Sequence, residues 1–115
     1  MGRSTLVIGS ADCELGAAMV GAVGLGIGDL LGRWEAYRYR PLIAPGDGSE
    51  VLAIGGSDAR GTIFGIYEFS RRALGIDPIG AWTGLGPERR ARVVVDGEGV
   101  EAGGPKFRYR GWFLN

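Results

Sequence analysis

The chain has 115 residues, the length of one small domain, with 13 basic and 13 acidic side chains and no net charge. Apolar residues at 45% and charged residues at 23% are ordinary for a globular protein, whereas 23 glycines far exceed the usual ~7% and histidine is absent. The neutral balance speaks against a nucleic-acid footprint or a polybasic membrane patch, the lack of His excludes Ser-His-Asp triads and His metal sites, and a single cysteine, Cys13, excludes an intrachain disulfide or a cysteine zinc cluster.

Lys106 is the only lysine, so a Schiff-base lysine is nearly excluded as well. The longest uncharged stretch, residues 15–28, is Gly-rich and shorter than the about 20 apolar residues a membrane span needs. The start lacks the basic–apolar–cleavage order of a signal peptide, because the apolar run follows Asp12 and Glu14. No metal or cofactor is implied.

Leu6, Val7 and Ile8 form a short apolar run closed by Gly9-Ser10, which predicts a buried strand. Asp12 is a candidate N-cap for a helix over about 13–23, with Leu15, Ala18, Met19 and Ala22 on one face. Residues 24–32 predict a Gly-punctuated loop. Residues 33–42 (RWEAYRYRPL) alternate as a strand, with Glu35, Tyr37 and Tyr39 on one face. Pro45-Gly46-Asp47-Gly48 is a strong turn signal, and residues 51–54 are a second apolar strand, so the two form a hairpin.

Ser57 or Asp58 can cap the next helix, over 60–74, whose inner face the spacing assigns to Ile63, Ile66, Tyr67, Ser70 and Leu74. Glu68 and Arg72 fall at i, i+4, Gly75 suits a left-handed C-cap, and Asp77-Pro78 stops the helix. A loop through Trp82 and Pro87 follows, then a strand over 92–95 and a linker over 98–106. The tail, residues 106–115 (KFRYRGWFLN), alternates with period 2 and predicts a last strand, with Phe107, Tyr109 and Phe113 on one face. An unpaired aromatic strand predicts self-association through the tail. It also implies that the strand belongs to something larger, with the chain cut at both ends.

Residues 56–62 follow a strand and open a helix, as a phosphate-binding loop does, but the Lys of that motif is absent and Asp58 would repel phosphate. Asp58 and Arg60 read most simply as cap and salt bridge. Glu35 reads as the partner of an Arg, and Cys13 as an inert helix residue. Loops after the carboxyl ends of strands face ligand crevices in α/β sheets, which makes the same Asp58 and Arg60 candidate site residues. Trp82 is either a packed loop aromatic or a platform on which the apolar face of a sugar can stack.

Several blocks together resemble a known family. Residues 32–37 (GRWEAY) resemble its "GKWEaf" strand, and residues 56–67 (GSDARGTIFGIY) its "GSDKRGTIYGIY" segment. Residues 77–82 resemble its Pro/Trp-rich loop, residues 109–115 (YRGWFLN) its "yRGiFLNDED", and residues 6–10 its "iiiGT" strand. These are hallmarks of glycoside hydrolase family 115, the xylan α-1,2-glucuronidases; family 67 α-glucuronidases and family 20 hexosaminidases are more distant relatives in layout.

The resemblance implies an α/β (α+β) fold, a mixed sheet with two main helices, like the N-terminal domain that precedes the (β/α)8 barrel in these enzymes. Residues 1–97 would be part of that domain, 98–106 a linker, and 107–115 the first strand of the barrel, which is the missing partner in the same polypeptide. Carbohydrate would be the ligand. Substrate-binding roles would fall on Asn115 (a sugar hydroxyl), Trp82 (stacking), and Arg60 with Asp58 (a carboxylate, either between themselves or on the sugar). No catalytic residue would lie in this chain, since glycoside hydrolysis needs two carboxyls about 5 to 9.5 Å apart and no such pair stands out. Ala59 in place of the family's Lys, Gly84 in place of an acidic residue, and Gly80-Ala81 in place of bulkier aromatics depart from the pattern. The rival reading is a free-standing carbohydrate-binding or protein-interaction module without hydrolase activity.

Overall fold

The computed structural model of the chain describes residues 4–114. Four strands, β1 (Ser4–Ser10), β2 (Tyr37–Ile43), β3 (Glu50–Gly56) and β4 (Val100–Ala102), form one mixed sheet in the order β1-β3-β2-β4. β1 runs parallel to β3, with Ser10 opposite Gly56; β2 is antiparallel to both β3 and β4. The hairpin expected across the Pro45–Gly48 turn is therefore present, and β3 sits at the centre of the sheet.

Helix α1 (Glu14–Ala22) and helix α2 (Ala59–Ala73) cover opposite faces. Side chains alternate across a strand. A methyl group on Gly55 would meet Ile27 and Leu25, whereas one on neighbouring Gly56 would meet Thr62 of α2. The face toward α1 holds the main core: Val20, Leu25, Ile27, Leu30, Ala36 and Ala53. Residues 24–30, expected to be a plain loop, include a one-turn 3-10 helix at Gly28–Leu30 and supply three of those core side chains. The other face holds an edge-on pair, Tyr39 against Phe69 of α2, with ring centroids 5.8 Å apart.

Both helices are rotated from the expected face, although Ile66, Ser70 and Leu74 of the face expected for α2 and its C-cap are half-buried. In α1, Leu15 and Met19 are exposed, and Ala17 and Val20 point inward. In α2, Ile63 and Tyr67 are exposed, while Gly61, Gly65 and Ala73 are the buried positions. The physical reason is close approach. Gly9 of β1 rests directly on the backbone of Gly16, and Gly65 leaves room for only the Ile54 and Tyr37 side chains. Small residues let each helix lie near the sheet, which turns the larger apolar side chains outward.

The ends of the helices follow their local chemistry. Cys13, not Asp12, occupies the N-cap position of α1 and makes no side-chain cap; Asp12 accepts a hydrogen bond from the Ser10 hydroxyl instead. Gly75, at φ +67°, ends α2 as expected, and the Ile76 amide donates to the Ser70 carbonyl at 3.1 Å. Glu68 accepts from Arg72 at 2.6 Å and from Arg71 at 2.8 Å.

Three further expectations are corrected. Residues 92–95 pair with no strand; instead β4 lies in the stretch read as a linker. It is held there by Arg38 of β2, a nearly buried guanidinium that donates to Asp29 at 2.9 and 2.8 Å, to the Gly26 carbonyl at 2.6 Å and to Glu101 at 2.6 Å. The Trp82 loop contains a short helix, α3 (Gly80–Thr83). Residues 106–114 form no strand ladder among the described residues, and Tyr109, Trp112 and Phe113 are almost wholly exposed. No helix among the described residues is long and apolar enough to cross a membrane.

Candidate functional site

The carboxyl ends of β1 and β3 and the amino end of β2 meet at one edge of the sheet, where Tyr37 and Ser10 both face Gly56. That edge is where ligands bind in α/β sheets. Residues 57–61 turn there from β3 into α2. The Asp58 carboxylate accepts from the Gly61 amide at 2.7 Å, capping α2, and with its other oxygen from the Glu35 amide at 3.0 Å. Ser57 repeats the device: its hydroxyl accepts from the Ala36 amide at 2.9 Å, and its own amide donates to the Ala36 carbonyl at 2.8 Å. The loop thus clasps the backbone of residues 35 and 36. It also closes the phosphate option, because the Asp58 carboxylate occupies the helix terminus where an anion would bind.

Glu35 is the unusual member. It does not continue β2, as the alternation suggested, but stands before the strand at φ +52°, in the left-handed region. Its side chain is 0% exposed, and two guanidiniums meet its carboxylate. Arg60 Nε lies 3.1 Å from Oε1, close enough for ion pairing though Oε1 has no aligned hydrogen bond; Arg110 Nη2 donates to Oε2. A buried carboxylate carries a large desolvation cost, which the two cations offset. Non-glycine residues held at positive φ cost about 1–3 kcal/mol and cluster at functional sites.

Beside Glu35 opens a cleft of about 1160 Å³. Tyr37, Phe64, Tyr67 and Leu85 are among its lining residues, and Glu35, Glu68, Arg71, Asp77 and Arg110 bring charge to it. A mostly apolar surface set with several charged side chains suits a small polar ligand. Tyr37 carries a phenol whose pKa burial pushes upward, so it stays a neutral donor and acceptor at physiological pH.

The four residues singled out from the sequence fare differently. Asp58 and Arg60 come together at one node, but they do not pair with each other; both engage Glu35, the Asp58 carboxylate through the backbone and Arg60 through the side chain. Trp82 is 80% exposed and joins neither the node nor the cleft lining, although its neighbours Gly80, Ala81 and Gly84 do line the cleft. Asn115 lies outside the described residues. Glu35 has its expected Arg partner, twice over, and Cys13 is exposed. Arg110 escaped notice because its role depends on a partner 75 positions away.

No family model and no curated protein matches the chain. Among solved structures it is similar to a family GH115 4-O-methyl-α-glucuronidase, BtGH115A, described as having specificity for decorated arabinogalactans. The two share 26% sequence identity and superpose with a TM-score of 0.59 over 84% of this chain. The fold is accordingly GH115-like: a mixed α/β domain with a four-stranded sheet and two main helices. The chain spans only 12% of that glucuronidase's length.

Proposed function

We propose that this chain is a non-catalytic accessory α/β domain of a glycoside hydrolase that removes α-1,2-linked glucuronic acid side chains from plant polysaccharide of the glucuronoxylan type. The observation that carries the reading is the likeness to a glucuronidase over 84% of this chain at 26% identity, joined to a coverage of only 12% of the enzyme. On this reading residues 107–115 are the first strand of a barrel, and Asn115, Trp82, Arg60 and Asp58 frame a sugar site that the barrel completes. The engagement of the two carboxylates at the node, Asp58 and Glu35, supports catalytic silence of the chain alone. Asp58 is held by two backbone amides, and Glu35 is sealed between two cations, so neither is placed to protonate a glycosidic oxygen or attack a sugar carbon.

Hydrolysis assays on glucuronoxylan and on decorated arabinogalactan test the proposal, using this chain and a longer product of the same reading frame. Activity is expected only in the longer protein, whose sequence is expected to continue with acidic residues directly after Asn115. Turnover by the 115-residue chain would overturn it. The exposed Trp82 and the aromatic cleft favour one alternative, a free-standing carbohydrate-binding module. Saturable oligosaccharide binding by this chain, lost in Trp82→Ala, together with no hydrolase in the longer frame, would favour that alternative.

A further inference from the structure

The tail has few attachments to the domain, and they converge. Residues 107–114 form no ladder, and most of their side chains are open to solvent. Yet Arg110 reaches back to a carboxylate that is wholly buried. Its guanidinium stands 5.5 Å from the ring centroid of Trp34, and Arg108 stands 5.9 Å from the same ring. Arg110 also donates to the Phe107 carbonyl, which curls the tail around its own anchor. Just upstream, Gly104 rests on the Trp34 carbonyl oxygen with no room for a side chain. Residues 34–36 are therefore gripped from two sides, by the 57–60 loop and by the tail.

We propose that Glu35 is a positioning residue for the tail: its buried carboxylate, clamped between Arg60 of α2 and Arg110, sets the line along which the chain leaves this domain. Three features fit that role better than ordinary surface pairing. Exposed ion pairs contribute little because water competes for both partners, whereas this carboxylate is shielded from water. Its backbone is held in the left-handed region by the Asp58 and Ser57 side chains, so the carboxylate is aimed before the tail arrives. Arg60 supplies a second cation from the domain itself, which keeps the carboxylate from standing unpaired when the tail lifts. The seat is thus preformed and the tail is the moving part. This holds for whatever the tail carries; only the identity of that cargo, a barrel strand, rests on the hydrolase reading.

Limited chymotrypsin digestion of the full chain tests the clamp. Cleavage after Phe107 and Tyr109 requires residues 107–110 to lift, whereas cleavage after Trp112 lies beyond the anchor and serves as an internal reference. Proteolysis of an opened segment tracks its equilibrium population when reclosing is fast. Arg110→Ala is expected to raise the ratio of Phe107 and Tyr109 cleavage to Trp112 cleavage at least tenfold, with the domain still unfolding in one cooperative transition and its stability lowered by the same factor, about 1.4 kcal/mol for tenfold. Arg110→Lys, which restores the charge, is expected to recover much of the protection. Arg108→Ala, which removes a cation from above the Trp34 and Tyr109 rings but breaks no ion pair with Glu35, is expected to change the ratio less than threefold.

Glu35→Gln combined with Arg110→Gln completes a double-mutant cycle, and the two effects are expected to be strongly non-additive. If Glu35→Gln prevents folding, the Arg110 variants still decide. An unchanged ratio in Arg110→Ala, or an equal rise in Arg108→Ala, would overturn the proposal. Hydrolase assays on a longer chain report separately on the cargo, so failure of one reading is not failure of the other.

Discussion

Glycine-to-alanine substitutions inside the two helices separate helix propensity from close packing. Propensity alone favours every such change by up to about 1 kcal/mol. At Gly21, on the exposed side of α1, an added methyl meets nothing within 4 Å. Gly21→Ala is therefore expected to stabilise by about 0.5 kcal/mol, the reduced value suiting a position in the last turn. At Gly65 the methyl would sit 3.0 Å from Ile54 Cγ2 and 3.3 Å from Tyr37 Cβ, both of which can yield slightly. Its packing cost of about 1–2 kcal/mol should slightly exceed the propensity gain.

At Gly61 the methyl would lie 2.3 Å from the Ala36 carbonyl oxygen, a backbone atom that cannot step aside. Carbon–oxygen contacts settle near about 3.3 Å, so roughly 1 Å of separation must be found. The shift would pull the Gly61 amide off the Asp58 carboxylate and loosen the clasp on residues 35 and 36. Overpacking at about 1–3 kcal/mol and a weakened cap at about 1 kcal/mol, less a propensity gain of about 1 kcal/mol, leave a net loss of about 1–3 kcal/mol. With a urea slope of about 1.5 kcal/mol per M, the midpoint should fall by about 0.7–2 M, while Gly21→Ala raises it slightly. Circular dichroism against urea reads all three variants. A Gly61→Ala midpoint equal to or above that of the parent would refute the close approach of α2 to residue 36.

Three more outcomes follow from the polar contacts. Arg38→Ala removes four charge-assisted hydrogen bonds and orphans the Gly26 carbonyl, and should cost about 2–4 kcal/mol, with β4 amides losing protection from hydrogen exchange first; uniform loss across the sheet would argue against Arg38 as the tether of β4. Asp58→Ala should cost about 1.5–2.5 kcal/mol, because the Glu35 and Gly61 amides lose their carboxylate acceptor, and Asp58→Asn less than half of that, measured by thermal melts. In acid, the hydrogen bonds from Arg38 hold Asp29 down at about 2 against its ordinary 3.8, and Glu101 and Glu68 are held below 4.5 by Arg38 and by Arg71 with Arg72. All three are depressed on folding, so their stabilisation is complete above the ordinary carboxylate values and drains away as pH falls through about 4.5 toward 2. The urea midpoint should therefore drop across that window, with Asp29→Asn flattening its lower part; equal midpoints at pH 6 and at pH 2.5 would contradict this.

Much of the fold could be read locally. Apolar runs closed by glycine located β1 and β3, the Pro-Gly-Asp-Gly turn made the hairpin, and Asp58 and Gly75 bounded α2 to within a residue or two. These features depend on contacts a few positions apart, which a sequence displays directly. The node at Glu35 was legible only in part. Asp58 and Arg60 were marked by their place after a strand, but their meeting point precedes them by more than 20 positions and Arg110 follows it by 75. The fourth strand was missed because three residues pinned by one arginine leave no periodic trace.

Composition announced an excess of glycine without saying what it was for. Tertiary structure decided that, and with it the orientation of both helices. Amphipathic spacing ranks side chains by the apolar area they remove from water, so it turned Leu15, Met19, Ile63 and Tyr67 inward. The folded chain instead presents Gly16, Gly61 and Gly65 to the sheet, because backbone against backbone brings each helix near enough to bury Val20, Ile54 and Tyr39 beneath it. Which face of a helix is inner depends on the shape of the surface it meets, and that surface is made by strands distant in the sequence. The sequence by itself determined where β1, β3, the hairpin turn and α2 fall; only the packing decided which face each helix buries and placed β4 beside β2.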